Sequence, residues 1–318
     1  EEVIVGIVEG SIKDEIVQGR AIEDLDKFPF PDFSLIKGYR PSYETMPIST
    51  SRGCPFNCTF CSVTEVFGRK YRFRSAENVI QELSSRSTGS FFFCDDNFAA
   101  YPKRTRMLLR LMLKNRPIRW ACQVRCDAAD DEELLSLMSG AGCNAVCVGF
   151  ESINPKTLQA FQKKQTIANI IDAIKSFHRK KINIHGMFVL GSDDDNEKTI
   201  WETLRFAIKQ KIDTIQMMIL TPMPGTKVYE EFRSQNRIFN YDWSLYDGQH
   251  VVFNPKLLSA KQLQSNVASA YTKFYSLSRS LSLLIRMHFR NAIFSFMGYR
   301  IVKEWMRHNR KMSWLKQA

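Results

Sequence analysis

The sequence predicts an α/β fold, an incomplete TIM-like barrel of six βα units with a helical, basic C-terminal extension. Three observations lead there. From about residue 46 to 222, short apolar runs alternate with amphipathic stretches of helical length. Polar and turn-forming residues gather just after these runs, where a parallel sheet builds its sites. After Pro224 the alternation stops, and the rest of the chain reads as helices rich in Lys, Arg and aromatics.

Three regions follow: 1–45, 46–225 and 226–318. The first opens with a short helix, Glu1–Val8, and continues as an extended linker, Arg20–Ile36. Its Phe28-Pro29-Phe30-Pro31 run can sustain neither a helix nor a central strand. Starting at Glu1 inside a helix, the chain reads as a fragment whose true N-terminus is missing, and region 1–45 as the end of an upstream domain. In the second region, strands are expected at Pro47–Thr50, Ser90–Cys94, Ile118–Arg125, Ala145–Phe150, Asn183–Leu190 and Thr214–Leu220. Helices are expected at 75–86, 103–115, 130–140, 166–180 and 196–210, the first opened by Ser75 with Glu77 near the positive dipole end. This order makes βα units with right-handed crossovers. In the third region, Tyr241–Phe253 is irregular and 259–277 reads as a helix. Leu281, Leu284, Ile285, His288, Ala292 and Phe296 then share one helical face, which Gly298 is expected to interrupt before a last basic helix.

Composition narrows the class. With 44% hydrophobic and 25% charged residues, the chain is an ordinary globular one, neither disordered nor fibrous. No apolar run reaches the roughly 18–20 residues that cross a bilayer. The net charge of +12 invites an anionic partner: nucleic acid, a membrane surface or a phosphorylated substrate. From Arg279 onward nine Lys/Arg accompany the single acid Glu304, a pattern that a solvated basic face also explains. All eight cysteines lie between 54 and 147, pointing to metal or redox chemistry in a reducing, cytoplasmic compartment.

The stretch Gly53-Cys54-Pro55-Phe56-Asn57-Cys58-Thr59-Phe60-Cys61 directly follows the first barrel strand. Three cysteines spaced CxxxCxxC in one loop can converge on one inorganic cluster, since thiolates are the natural ligands of iron–sulfur centres. Three ligands on four irons leave one iron open for a substrate. Structural zinc competes for the same residues, but it wants four ligands at paired spacings. No fourth Cys or His lies near; His178 is more than a hundred residues away. The other five cysteines read as small buried hydrophobes. Cys122 and Cys126, four apart on a strand, would stand about 13 Å apart and could not share a cluster.

With this motif after the first strand of a βα series, residues 46–225 resemble the radical S-adenosylmethionine (SAM) superfamily. The resemblance implies a [4Fe–4S] cluster on Cys54, Cys58 and Cys61, with the open iron chelating the amino and carboxylate groups of SAM. It also implies that an electron from the reduced cluster cleaves the sulfonium C–S bond, giving methionine and a hydrogen-abstracting 5′-deoxyadenosyl radical. Phe60 matches the family's aromatic by the adenine, and loop packing is a compatible role. Asp95, Asp96 and Asn97, at the end of the second strand, can accept hydrogen bonds from an ammonium, although Asp-Asp-Asn is also simply a good turn. On the third strand, period-two alternation puts Gln123, Arg125 and Asp127 on one face. Arg125 there either holds a carboxylate of SAM or substrate or makes a rim salt bridge. Glu151 and Ser152 match the position that reaches the ribose or methionine part of SAM. Gly191 closes the Gly-x-x-x-x-Gly pattern by the adenine, with Ser-Asp-Asp-Asp following in place of the commoner Pro-Gly-Glu-Thr.

Asp95-Asp96-Asn97-Phe98 resembles the superfamily's cobalamin-associated branch, as do the linker and Asp242-Trp243-Ser244-Leu245-Tyr246-Asp247. In that branch cobalamin carries a methyl group to a substrate radical, and some members close rings instead. The sequence has no Asp-x-His-x-x-Gly cobalt-ligand motif, so cobalamin is expected from a domain outside it. The expected partners are a small-molecule or lipid-like substrate and a flavodoxin- or ferredoxin-type reductant. An RNA-modifying radical SAM enzyme would suit the charge, but no RNA-binding module stands out and nucleic acid is not the expected partner. A purely electron-transferring iron–sulfur protein leaves the ordered strand-end motifs unexplained. The tail, with Phe289, Phe294, Phe296, Trp305 and Trp314 among its basic residues, either rests on an anionic membrane or closes the open side of the barrel.

Overall fold

Each apolar run is followed by a connection too long for a hairpin, so neighbouring strands must run parallel. In the computed structural model, which describes residues 2–11, 17, 22–38, 40, 45–309 and 311–317, they do. Six strands form one sheet in chain order, all parallel: β1 (Met46–Ile48), β2 (Ser90–Phe93), β3 (Arg119–Val124), β4 (Cys143–Glu151), β5 (Asn183–Leu190) and β6 (Thr214–Ile219). β1 and β6 remain edges, so the barrel is open. Helices Ala76–Ser85, Pro102–Leu113, Glu132–Gly140, Ile167–Arg179 and Glu197–Lys209 connect the strands. Ser75 and Asp131 cap two of them, and reciprocal capping boxes at Thr166/Asn169 and Asn196/Thr199 start two more. Phe93, Phe98 and Trp120 form a buried aromatic cluster with ring centroids 5.0–5.2 Å apart. The Trp120 indole N–H donates to the Ala141 carbonyl, so burying it strands no polar group.

The exposed edge of β6 is capped by side chains. Tyr275 and Tyr271, at the end of helix Ala260–Phe274, accept from the amides of Ile215 and Met217 at 2.8 and 2.7 Å. The Ile219 amide donates to the Gly248 carbonyl at 2.7 Å. Every second amide of this edge is thereby satisfied without another strand. This helix, together with the loop before it, covers the β6 edge.

The tail differs from its sequence reading. One face was expected over 281–296, but the chain forms two helices, Leu277–Ile285 and Phe289–His308, turning at Met287 with φ +61°. Gly298 lies inside the second helix. A Cβ there would stand 2.4 Å from the Tyr275 ring, so glycine serves close packing and does not break the helix. At the other end, Arg20 and Ala21 of the linker lie outside the described residues. Its Phe-Pro-Phe-Pro run lies against barrel arginines: Arg52 sits over Phe28 and Arg74 over Phe30, at 5.5 and 5.2 Å. Cys94, expected to be buried, is exposed where the chain leaves β2.

Candidate functional site

The loop after β1 is fixed before any ligand is considered. Gly53 has φ +86°, and a Cβ there would stand 2.5 Å from the Lys70 carbonyl oxygen, so only glycine fits. Farther along, Thr59 donates through its amide to Phe161 O and through its hydroxyl to Ala160 O, at 3.3 and 3.1 Å. The Val228 amide donates to Thr59 O at 3.2 Å, and Phe60 packs on Phe161 with centroids 4.7 Å apart. The loop is thus clamped between the turn after β4 and helix Lys227–Ser234.

It presents Cys54, Cys58 and Cys61, all unbridged and half-buried. Burial pushes the Cys54 thiol up, and Cys58 and Asp96 add to this. Cys61 is pushed up to about 11 by burial first, then by Cys58, Cys54 and Glu151. Each of these two thiols is thus in the field of Cys58, beside which Arg125 Nη1 stands 4.0 Å away. Among the described residues, no three His, Cys, Asp or Glu side chains are gathered for a single metal ion. Three soft thiol donors on one loop are the donor set that an iron–sulfur cluster takes.

Asp96, Arg125 and Glu151 surround them. Arg125 directly follows β3, with its side chain buried. Its Nη1 lies 4.0 Å from Cys58 Sγ and its guanidinium carbon 3.8 Å from the Phe56 ring centroid. Nη2 donates to Lys163 O at 2.7 Å, and Nε meets Asp127 Oδ2 at 3.3 Å. The strand stops at Val124 and 126–130 is a 3-10 turn, so the period-two face does not extend to Asp127. Of the two expectations for Arg125, the salt bridge is present, but it belongs to a buried arginine beside Cys58.

Glu151 lies at a register shift between β4 and β5, with φ +60°. A left-handed glutamate costs of order 1–3 kcal/mol and persists only where its surroundings hold it. Here Lys163 does so: Nζ lies 2.6 Å from Glu151 Oε1, and both side chains are under a tenth exposed. Burial alone would lower the pKa of Lys163, but the charges of Glu151 and Cys58 outweigh it and leave the pKa raised. Sequence reasoning missed Lys163. In Gln162-Lys163-Lys164-Gln165 nothing marks one lysine as internal; the left-handed backbone of Gln162 and Lys164 (φ +53° and +52°) is what sets it apart.

The remaining expected residues divide. Asp95 is fully buried and taken up by the protein: Oδ1 accepts from the amides of Thr50 and Ser51 at 2.6 and 2.7 Å, and Oδ2 from the Thr50 hydroxyl at 2.6 Å. Arg104 braces Thr50 from behind at 3.0 Å. Asp95 therefore ties the end of β1 to the end of β2, and both its carboxylate oxygens are already engaged. Asp96 is half-buried, its pKa raised by burial and then by Asp95. Asn97 is buried with Oδ1 unpartnered, an orphan acceptor beside the site. Ser152 is fully buried, and its hydroxyl accepts from the Asn154 amide at 3.0 Å, capping the turn. Gly191 has φ +98°, and a Cβ there would stand 2.5 Å from Leu263 Cδ2. Asp195, the last of the Ser-Asp-Asp-Asp run, accepts from the amides of Gly191 and Ser192 at 3.1 and 3.0 Å.

The sequence profile of the Radical SAM superfamily matches residues 48–207, half of the chain. This chain belongs to the radical SAM superfamily. Over 285 residues it is 30% identical to bacteriochlorophyllide d C-12(1)-methyltransferase of Chlorobaculum tepidum, covering 86% of this chain and 62% of that protein. Over 278 residues it is 29% identical to the anaerobic magnesium-protoporphyrin IX monomethyl ester cyclase of Cereibacter sphaeroides, covering 82% and 45%. The chain thus spans roughly half of the length of these relatives. Its fold is similar to the cobalamin-dependent S-adenosylmethionine radical enzyme OxsB, with TM-score 0.63 at 15% identity over 97% of this chain and 58% of that one.

Proposed function

We propose that this chain is the radical-generating core of a cobalamin-dependent radical SAM methyltransferase or a closely related tailoring enzyme. The observation that carries the reading is the gathering of three unbridged thiols, Asp96, Arg125 and Glu151 at the C-terminal ends of β1–β4.

In this reading Cys54, Cys58 and Cys61 hold a [4Fe–4S] cluster. Bound there, the reduced cluster supplies the electron that cleaves the SAM sulfonium C–S bond and so starts radical chemistry. Asp96, and Asn97 through its orphan Oδ1, accept from the SAM ammonium, while Phe60 and the Gly191 backbone flank the adenine. Arg125 neutralises charge at Cys58. The Lys163–Glu151 pair fixes the β4 end, where Glu151 and Ser152 reach the ribose or methionine part. A flavodoxin- or ferredoxin-type protein is the proposed electron donor. The substrate is proposed to be a small molecule or lipid-like, the class suggested by relatives named for acting on tetrapyrroles. The Arg20–Ile36 linker is read as the connector from a cobalamin-binding domain.

Anaerobic reconstitution with iron and sulfide, followed by EPR of the reduced protein with and without SAM, tests this. The reading expects a cluster signal that shifts on adding SAM and is lost when all three cysteines become alanine. A cluster indifferent to SAM would reduce the protein to electron transfer. A folded protein that forms no cluster would overturn the reading.

A further inference from the structure

The C-terminal helical hairpin carries its large apolar side chains on the outside. Along Phe289–His308, Ala292 and Ser295 are buried, Gly298 lies against Tyr275, and Tyr299, Val302 and Trp305 are only partly covered against the barrel side. Polar links add to this packing, Ser280 to Ser295 at 3.0 Å and Asn291 to Asp213 at 2.7 Å. Outward, Ile293, Phe294, Met297 and Ile301 are 47–66% exposed, and Ile285 and Met287 at the turn exceed 70%. Soluble surfaces carry isolated apolar residues freely, but a continuous patch of this kind marks a contact surface. Arg286, Arg290, Arg300 and Lys303 stand exposed among them, and no Asp or Glu occurs from Leu277 to Lys303.

We propose that Leu277–His308 docks on the surface of an anionic lipid bilayer. Its apolar side chains would enter the boundary between headgroups and acyl chains, and its arginines would bind lipid phosphates. Among the described residues no helix is long and apolar enough to cross a membrane, so the hairpin lies on the surface. The charge selects the partner: from Leu277 to Lys303 every charged side chain is basic, and the one acid beyond, Glu304, is paired with Arg307. A second copy of this chain, meeting the same patch by two-fold symmetry, would set arginine against arginine, whereas an anionic headgroup layer complements both components. Long basic side chains can lie along the apolar surface and still reach the phosphates. The inference rests on the tail alone, so its failure leaves the radical reading untouched.

The test is flotation of the purified chain with phosphatidylcholine vesicles, with and without phosphatidylglycerol. The wild type should float with the anionic vesicles roughly tenfold more than with neutral ones, and added salt should weaken the effect. Two variants separate the components: Ile293→Glu/Met297→Glu/Ile301→Glu and Arg286→Gln/Arg290→Gln/Arg300→Gln. Both alter side chains outside the links that hold the hairpin, so circular dichroism should stay that of the wild type, and both should lose flotation. The proposal is overturned if the wild type stays with neither vesicle, or if the glutamate variant floats like the wild type. It is equally overturned if size-exclusion shows a wild-type dimer that the glutamate variant dissolves while vesicles bind neither.

Discussion

At the C-terminal end of the sheet, charged side chains are buried and paired; on the C-terminal hairpin, large apolar side chains face outward. Both arrangements run against ordinary burial, for different reasons. Asp95, Arg125, Glu151 and Lys163 are each less than a tenth exposed. Burying such groups costs several kcal/mol per ion unless partners compensate, and here the partners are Thr50 and Ser51, Asp127, and the Lys163–Glu151 pair. The barrel end is therefore pre-organised, with its polar atoms aimed before a ligand arrives. The hairpin is the reverse: Tyr299, Val302 and Trp305 face the barrel beside a few polar links, while Ile293, Met297 and Ile301 stay exposed. The first region resembles a site built for small ligands, the second a surface built for a broad one.

The sharpest way to break the comparison is Cys58→Ala. The barrel-end reading expects complete loss of the SAM-sensitive EPR signal and of SAM cleavage, with the unfolding midpoint within about 0.5 kcal/mol of wild type. Loss of fold instead would make the cysteine loop a structural staple. Lys163→Met comes next. It leaves the Glu151 charge buried without its partner and should cost about 3–5 kcal/mol in urea unfolding. Adding Glu151→Gln should recover most of that loss. An unchanged midpoint for the single variant would mean that the pair is not holding the β4 end. Gly191→Ala follows, at about 1–3 kcal/mol, because it forces a non-glycine residue to φ +98° and pushes on Leu263. Its effect should appear as a lower melting temperature in calorimetry, with the vesicle flotation of the hairpin unchanged.

Legibility follows the same division. Strands and helices of the barrel were readable because each is a period of apolar residues bounded by caps. Asn183–Leu190 was read to the residue, and β6 was read one residue too long, to Leu220. The short pieces were not readable: the ribbon of Ser51–Arg52 with Arg72–Phe73, and helices Val63–Phe67, Pro155–Ala160 and Lys227–Ser234. Each is too brief for a period to show, and each is held by tertiary contact, as at Gly53 and Thr59. In the candidate site, the cysteines singled out by their spacing share one loop after β1. Asp95 was legible as a residue but not in its duty, because nothing in Asp-Asp-Asn says which carboxylate turns back onto Thr50. Lys163 was invisible because its burial depends on two left-handed neighbours. The tail misled for a related reason: Met287 turns the chain with no glycine or proline to announce it, while Gly298, which looked like a breaker, is a packing device.

The smallest expected effect joins the two regions. His250 lies just past the Asp242–Asp247 segment, and its Nδ1 is 2.9 Å from Asp247 Oδ2. Its ring meets Trp314 edge-on, with centroids 4.6 Å apart, and Trp305 at 5.5 Å. Burial would lower the histidine's pKa, but Asp247 outweighs it and raises the pKa above the ordinary 6.5. A raised folded pKa means that the protonated form stabilises this contact. The contribution is complete below pH 6.5 and disappears as pH rises through the raised value. The tryptophan emission difference between wild type and His250→Gln should therefore fade over that window. Asp213, the partner of Asn291, is also bonded to His178 at 3.1 Å, so the control is the Ser280–Ser295 link: exchange protection over Leu277–Ser295, corrected for the intrinsic pH dependence of amide exchange, should stay flat across the window. If the whole hairpin loosened with His250, the tail would be a lever worked from the barrel loop. If only the tryptophan signal moves, the hairpin is a fixed platform whose tip alone responds to pH.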